Sequence, residues 1–247
     1  MSITTQEELK GMRAVAAVVR LALDAIKENV RPGVTTAELD EAGYQVIREN
    51  GGRSAPAIVY GFPGYNLISI NNEAVHGIPG KRVVCDGDLV KLDVTVEKNG
   101  FMADAALTVP VGNVSSAGRR LVACAESAFH KAMNVARAGF RVSEIGRAVE
   151  SEVQRNGFTV LRELGGHGIG RTIHEPPSVP NFYDPSANGV LTDGLVITIE
   201  PIISAGNGQS YVTRDGWTVR TTDHALSAHY EHTIVITKGK PILLTAA

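Results

Sequence analysis

The chain has 247 residues, 43% of them hydrophobic, and carries 24 Lys and Arg against 26 Asp and Glu, a formal charge of −2. The hydrophobic share excludes a disordered chain, and a near-neutral balance without a long basic run excludes the clustered Lys/Arg footprint of a nucleic-acid binder. A membrane span needs roughly 18 uncharged apolar residues; the longest candidate, AVAAVVRLALDAI, is broken by Arg20 and Asp24.

The opening MSITTQEELKGMRAV has no basic segment followed by an apolar one, so no secretory signal is expected. Cys85 and Cys124 stand alone, which fits reduced thiols in a cytoplasmic protein better than a disulfide scaffold.

In chain order, apolar periodicity predicts a helix over about 5–29 and a second over about 36–49. Thr35 and Glu38 have the spacing of a capping box at the start of the second. Strands are expected at about 66–71, 89–97 and 101–109. Helices at about 114–137 and 143–155 follow. Further strands are expected at about 169–175, 195–202, 209–214, 217–222 and 231–237, with Asp215-Gly216 as a hairpin turn.

A repeat underlies this order. RPGVTTAELDEAGYQVIRENG (31–51) aligns without gaps on RAGFRVSEIGRAVESEVQRNG (137–157). Arg31/Arg137, Gly33/Gly139, Glu38/Glu144, Ala42/Ala148, Asn50/Asn156 and Gly51/Gly157 all match. The pairs include the glycine before a helix and the Asn-Gly that closes it, positions where chain geometry selects residue type. The expectation is one α+β domain over 1–247 with two pseudo-symmetric halves, about 1–112 and 113–247. Its strands should pool into one curved antiparallel sheet backed by four helices.

KLDVTVEKNGFMADAALTV (91–109) reads as a β-hairpin around Asn99-Gly100. Each arm holds one aspartate, Asp93 and Asp104, among residues that otherwise read as core. A two-residue loop pairs Asp104 with Thr95 and Asp93 with Ala106; moving the loop one residue toward the N-terminus pairs the aspartates directly. Either register puts both carboxylates on one face. Buried carboxylates need a partner: one stays protonated, or a cation sits between them.

The rest of the chain favours the cation. Glu200 (VITIEPI) and Glu231 (HYEHTIVIT) are isolated acids in apolar strands, and GGHGIGRTIHEPP (165–177) supplies His167 and His174 among glycines. Four carboxylates and one imidazole suit Mn, Fe, Co or Zn. Their charge matches two divalent ions, which two-metal hydrolytic sites hold about 3.5–4 Å apart.

NNEAVHGIP, KLDVTVEKNGFMADAA, GHGIGRTIHEPP, TIEP and SAHYEHTIVIT, in that order, together resemble the type I methionine aminopeptidases of the pita-bread fold, in metallopeptidase family M24. The resemblance implies that Asp93, Asp104, His167, Glu200 and Glu231 hold two divalent ions, with Asp104 and Glu231 bridging. It implies that His76 and His174 contact substrate rather than metal. The implied reaction is removal of the initiator methionine from nascent polypeptides whose second residue is small. Trp217 and Phe62 match family positions on the substrate side. Leu67 and Val75 stand where several members carry cysteine, and Pro56, Val59 and Ile173 also differ from common pocket residues. Glu200 and Glu231 are too close in sequence for the extra helical subdomain of type II enzymes.

The residues support a mechanism in their own right. A hydroxide bridging two divalent ions is a nucleophile at neutral pH. Glu200, the second-half carboxylate least committed to bridging, is the candidate general base. His167 and His174 are seven apart and would face opposite ways in a regular strand. A bend at Gly168 and Gly170 would turn both inward. His174 could then donate to the developing oxyanion, with His76 holding the scissile amide; the alternative is that His174 only hydrogen-bonds backbone. His130, His224, His229 and His232 read as structural or surface, with those flanking Glu231 pointing away from it.

Two rivals stand beside this reading: a prolidase or aminopeptidase P of the same fold, and a pita-bread protein that has lost catalysis and serves as a binding module. All five ligand positions are filled, which disfavours the second. A monomer is expected, without direct nucleic-acid or membrane binding. Ribosome association suits an enzyme of nascent chains, although no residue pattern marks a docking surface.

Overall fold

Thr5 and Thr35 open two helices by the same device. Each hydroxyl accepts from the backbone N–H three residues on, and the glutamate there, Glu8 or Glu38, accepts from the threonine N–H. The helices are α1 (Gln6–Asn29) and α2 (Thr36–Glu49). The structure, a computed structural model, describes residues 1–246. Next come β1 (Arg53–Ser54) and a short helix, α3 (Ala55–Tyr60), capped by the Ser54 hydroxyl and carrying Pro56 in its first turn. Strands β2 (Leu67–Ile70), β3 (Glu73–Val75), β4 (Leu89–Lys98) and β5 (Phe101–Pro110) complete the first half.

The second half begins with α4 (Ser116–Met133) and α5 (Val142–Arg155). Shifting α2 by 106 residues lands on α5, and Gly33 and Gly139 before them share a left-handed φ of 93° and 92°. Then follow β6 (Thr159–Val160), β7 (Gly165–Gly168), β8 (Glu175–Pro180), β9 (Val196–Ile199) and β10 (Ile202–Ser204). The last strands are β11 (Ser210–Val212), β12 (Val219–Thr221), β13 (Ser227–His229), β14 (Glu231–Val235) and β15 (Ile242–Leu243).

Nine strands form one sheet in the order β1-β4-β5-β14-β9-β7-β8, with β2 also on β4 and β15 on β14. The expected single sheet is therefore incomplete: β13-β10-β6 and β11-β12-β3 form two further three-stranded sheets. The expected strand 195–202 breaks at Glu200-Pro201, where proline has no N–H for the ladder. Its partner breaks at Tyr230, between β13 and β14. Both breaks fall beside the two glutamates. The expected strand 169–175 is instead a bent connection between β7 and β8.

Alternation along β4 separates helix side from open side. Val90, Leu92, Val94 and Val96 join Met12, Val15, Val19 and Ile26 of α1 in one core. Lys91, Asp93, Thr95 and Glu97 face the other way. A second core gathers Leu121 and Phe129 of α4, Ile145 and Val149 of α5, and Ile197, Ile199 and Ile234 of the sheet. The four long helices thus cover one face, as expected, and leave the carboxylate face of the central strands free for a site.

Candidate metal centre and substrate cleft

The β4–β5 hairpin takes the two-residue loop: Lys98 pairs with Phe101, and Asn99 and Gly100 both have positive φ. Thr95 therefore faces Asp104, and Asp93 faces Ala106. Ala106 also pairs with Glu231 of β14. One row of partners, Leu67–Asp93–Ala106–Glu231, crosses β2, β4, β5 and β14, with Asp104 on the same face two residues from Ala106. The small Ala106 side chain lies between the carboxylates on either side. Asp104 is pinned to β14 through Thr233, whose hydroxyl accepts from Asp104 N (2.9 Å) and donates to Asp104 O (2.8 Å).

Glu200 enters from the end of β9. The Thr198 hydroxyl donates to its Oε1 (3.0 Å), and Asn181 Nδ2 donates to its backbone oxygen (2.8 Å). The same Thr198 hydroxyl accepts from His167 N (3.1 Å). His167 Nδ1 lies 2.9 Å from Gly168 O. A carbonyl only accepts, so Nδ1 carries the proton and Nε2 keeps its lone pair. That nitrogen lies 3.5 Å from Glu200 Oε1.

Burial pushes Asp93 well above the usual carboxylate range, reinforced by the charges of Asp104 and Glu200. Burial does the same to Glu200, with Asp104 adding to it, and to Glu231, with Asp104, Glu200 and Asp93 adding to it. Asp104 is pushed up to about 6 by burial, moderated by hydrogen bonds. Burial lowers His76 and His167 to about 4, and His174 also falls below its ordinary value. All three imidazoles are neutral at pH 7.

Whether this set fits divalent metal is decided by its unpaired atoms. Asp93 Oδ1, Asp104 Oδ1 and Glu231 Oε1 are buried without a hydrogen-bond partner. Among the described residues, no Lys or Arg forms an ion pair with any of the four carboxylates; the nearest nitrogens to Glu200 and Glu231 belong to the imidazoles of His167 and His229, which burial keeps neutral. Donor atoms of Asp104, His167 and Glu231 all lie within 4.8 Å of one another. Buried, unpaired oxygens around a neutral imidazole match a cation site.

The bend after β7 brings the histidines together. A register shift separates His167 from Gly168, where a Cβ would lie 2.2 Å from Pro176 O. The His167 and His174 rings are 4.2 Å apart. Glu175 holds the turn: its Oε1 accepts from Arg171 N (2.7 Å) and Thr172 N (2.8 Å). His76 follows β3 with a positive φ of 59°.

Two cavities meet at these side chains. One, about 210 Å³, is lined by Pro56, Tyr60, Phe62, Leu67, Ile173 and Trp217, and reaches His76, Asp93, Thr95, Asp104 and His174. The other, about 170 Å³, holds His167, Glu200, Glu231 and His229, and shares His76, Asp93, Asp104 and His174 with the first. Phe62 and Trp217 meet edge to face at 5.2 Å. Val59, expected as a wall, is 42% exposed and lies outside the cavity. Residues 55–60 are helical, so Pro56 and Tyr60, four apart, share the inner face and Val59 points out.

His229 is the other correction. It was expected to point away from Glu231, yet it is 2% exposed with Nε2 3.3 Å from Glu231 Oε2. It lies two residues before Glu231, and a spacing of two shares a face. His232, one residue after, does point away, to Thr245 and Tyr230. His130 and His224 are exposed. Thr198, Tyr60 and Lys91 also escaped the sequence reading. Lys91 is buried, donates to Asn71 O (2.6 Å) and is lowered to about 7 by burial. Thr198 stands two residues before Glu200, the same signal as His229.

Fold and site together define a metallopeptidase. The chain matches metallopeptidase family M24 over residues 10–238 and belongs to that family. It is 42% identical to methionine aminopeptidase 2 of Bacillus subtilis (strain 168) over 247 residues, 99% of each chain. It is 40% identical to methionine aminopeptidase of Clostridium perfringens over 243 residues, 98% of each. The crystal structure of methionine aminopeptidase from Rickettsia prowazekii matches with a TM-score of 0.96 at 36% identity, covering all of both chains. The pita-bread fold read from the motifs holds along the whole chain. Among the described residues, no helix is long and apolar enough to cross a membrane.

Proposed function

We propose that this chain removes the initiator methionine from nascent polypeptides with a small second residue. It acts as one catalytic domain, residues 1–247, whose halves, about 1–112 and 113–247, arose by duplication. Asp93, Asp104, His167, Glu200 and Glu231 would hold two divalent ions drawn from Co, Mn, Fe or Zn. When bound, the ions would lower the pKa of a water toward neutrality and polarise the scissile carbonyl.

The chain's own groups do the rest. Glu200, oriented by the Thr198 hydroxyl, takes a proton from the attacking water and passes it to the leaving amine. His174 donates an N–H to the developing oxyanion. His76 holds the scissile amide. The methionine side chain enters the cavity walled by Phe62, Trp217, Leu67, Ile173 and Pro56. An unbranched apolar side chain suits that space. We place the protein in the cytoplasm as a monomer meeting chains as they leave the ribosome.

The observation that carries this reading is the meeting of an apolar and a carboxylate-lined cavity at His76, Asp93, Asp104 and His174. The test is a titration of purified protein with Mn, Fe, Co and Zn on Met-Ala-Ser, Leu-Ala-Ser and an Xaa-Pro peptide. Metal-dependent cleavage of Met-Ala-Ser alone is expected. Comparable turnover of Leu-Ala-Ser would overturn the pocket, and preference for Xaa-Pro would make this a prolidase-type enzyme. A protein with neither activity nor stoichiometric metal would be a binding module.

A further inference from the structure

His229 takes no part in the steps above, yet it is the imidazole most enclosed by the carboxylate cluster. It is 2% exposed, and neither ring nitrogen has a hydrogen-bond partner. Buried polar groups are rarely left in that state. Its Nε2 faces two carboxylates, 3.3 Å from Glu231 Oε2 and 3.9 Å from Glu200 Oε2. Asp93, His229 and Glu231 each bring one donor atom into a group within 4.8 Å; Asp104, His167 and Glu231 form the other such group. Glu231 belongs to both.

We infer that His229 is a sixth ligand, its Nε2 binding the ion held by Asp93 and Glu231 while His167 serves the other ion. The inference rests on the two-ion reading of the site. Two donors about 2.1 Å from one ion at tetrahedral or octahedral angles lie roughly 3.0–3.4 Å apart. The His229–Glu231 separation of 3.3 Å falls in that range, and the His167–Glu200 separation of 3.5 Å lies beside it. As a hydrogen bond, 3.3 Å is longer than the usual N–H···O range, and the pair does not meet hydrogen-bond geometry. The spacing His229-Tyr230-Glu231 turns both donors to one side. One nitrogen donor per ion shifts the preference from Mn toward Fe, Co or Zn.

The test compares wild type with His229→Gln and His167→Gln. Each is titrated with Zn and with Co against a competing chelator, and bound metal is counted by elemental analysis. Wild type should bind two ions. His229→Gln should weaken one of them by at least about 10-fold, the step that His167→Gln leaves alone, and should change the visible spectrum of the Co-loaded protein. In zinc-loaded wild type labelled with 15N, His229 Nε2 should carry a metal-bound shift and no proton, a readout independent of any variant's folding. A proton on Nε2 in that state, or unchanged affinity for both ions in His229→Gln, overturns the inference while leaving the two-ion reading intact. A wild type that binds only one ion overturns both.

Discussion

The Tyr60 hydroxyl lies 2.5 Å from His174 Nδ1, so a half-exposed tyrosine on α3 governs the ring proposed to stabilise the oxyanion. His174 is lowered by burial and neutral at pH 7, so it has one N–H to place. Burial raises the Tyr60 phenol, which keeps its proton. Donation from that hydroxyl to Nδ1 leaves the imidazole proton on Nε2, the other edge of the ring. Tyr60→Phe should therefore lower kcat by about 2–10-fold, the effect of one lost hydrogen bond, with KM for Met-Ala-Ser little changed. Steady-state kinetics decide this; an unchanged kcat would show that Tyr60 does not set the tautomer used in catalysis.

Asp215 governs the opposite wall. Its Oδ1 accepts from Trp217 N and Thr218 N, both at 2.8 Å, and its Oδ2 from the Thr218 hydroxyl at 2.7 Å. Slight burial pushes the carboxyl up, but the hydrogen bonds from Thr218 and Trp217 bring it down to about 2. A folded value below the unfolded one, about 3.9, gives stability that is present above that value and lost as pH falls toward 2. Asp215→Asn should lower the urea midpoint at pH 7, and the gap from wild type should narrow by pH 3 and close near pH 2. The variant should also raise KM and shift the emission of Trp217, the one tryptophan in the chain. A gap of equal size at pH 7 and pH 3 would rule out the carboxylate as the cause.

Removing metal should cost stability as well as activity. Asp93, Asp104 and Glu231 each bury an unpaired oxygen, and Glu200 adds a fourth carboxylate whose charge raises Asp93 and Glu231, so whatever cation binds there stabilises the folded state. At free metal near 100 times Kd the gain is about 2.7 kcal/mol. Treatment with EDTA should lower the Tm by about 5–10 °C for a chain of this size. Equal melting temperatures with and without EDTA would show that the cluster is stable without a cation.

The hairpin from Lys91 to Val109 was legible because two signals agree: period-two alternation and an Asn-Gly loop that accepts positive φ. The α2 and α5 bounds were legible from the repeat. The short helix α3 was not, since six residues are too few for a helical period to stand out. Missing it placed Val59 in the pocket and overlooked Tyr60. The division into three sheets was hidden at Pro201 and Tyr230, where tertiary pairing decides which neighbour each strand segment takes. His229 was visible in principle. A histidine two residues from a buried glutamate shares its face, and of the two histidines it is the adjacent one, His232, that points away.

Glu200 and the bridging candidate Asp104 can be separated by isosteric amides. Glu200→Gln keeps the size and one oxygen donor but removes the base, and the Thr198 hydroxyl can still donate to its amide oxygen. Asp104→Asn replaces a carboxylate whose Oδ1 is buried and unpaired, and whose donor atom groups with those of His167 and Glu231. An amide offers only one oxygen where bridging needs two. Asp104→Asn should therefore lose bound metal together with rate. Glu200→Gln should lose roughly 10²–10⁴-fold in kcat, the range for a removed general base, while keeping at least one ion and measurable binding of Met-Ala-Ser. Elemental analysis and steady-state kinetics at saturating metal distinguish the two. Near-normal kcat in Glu200→Gln would move the base to another group, and His174 is next in reach because its ring meets that of His167 edge to face, with centroids 4.2 Å apart, and His167 Nε2 faces Glu200.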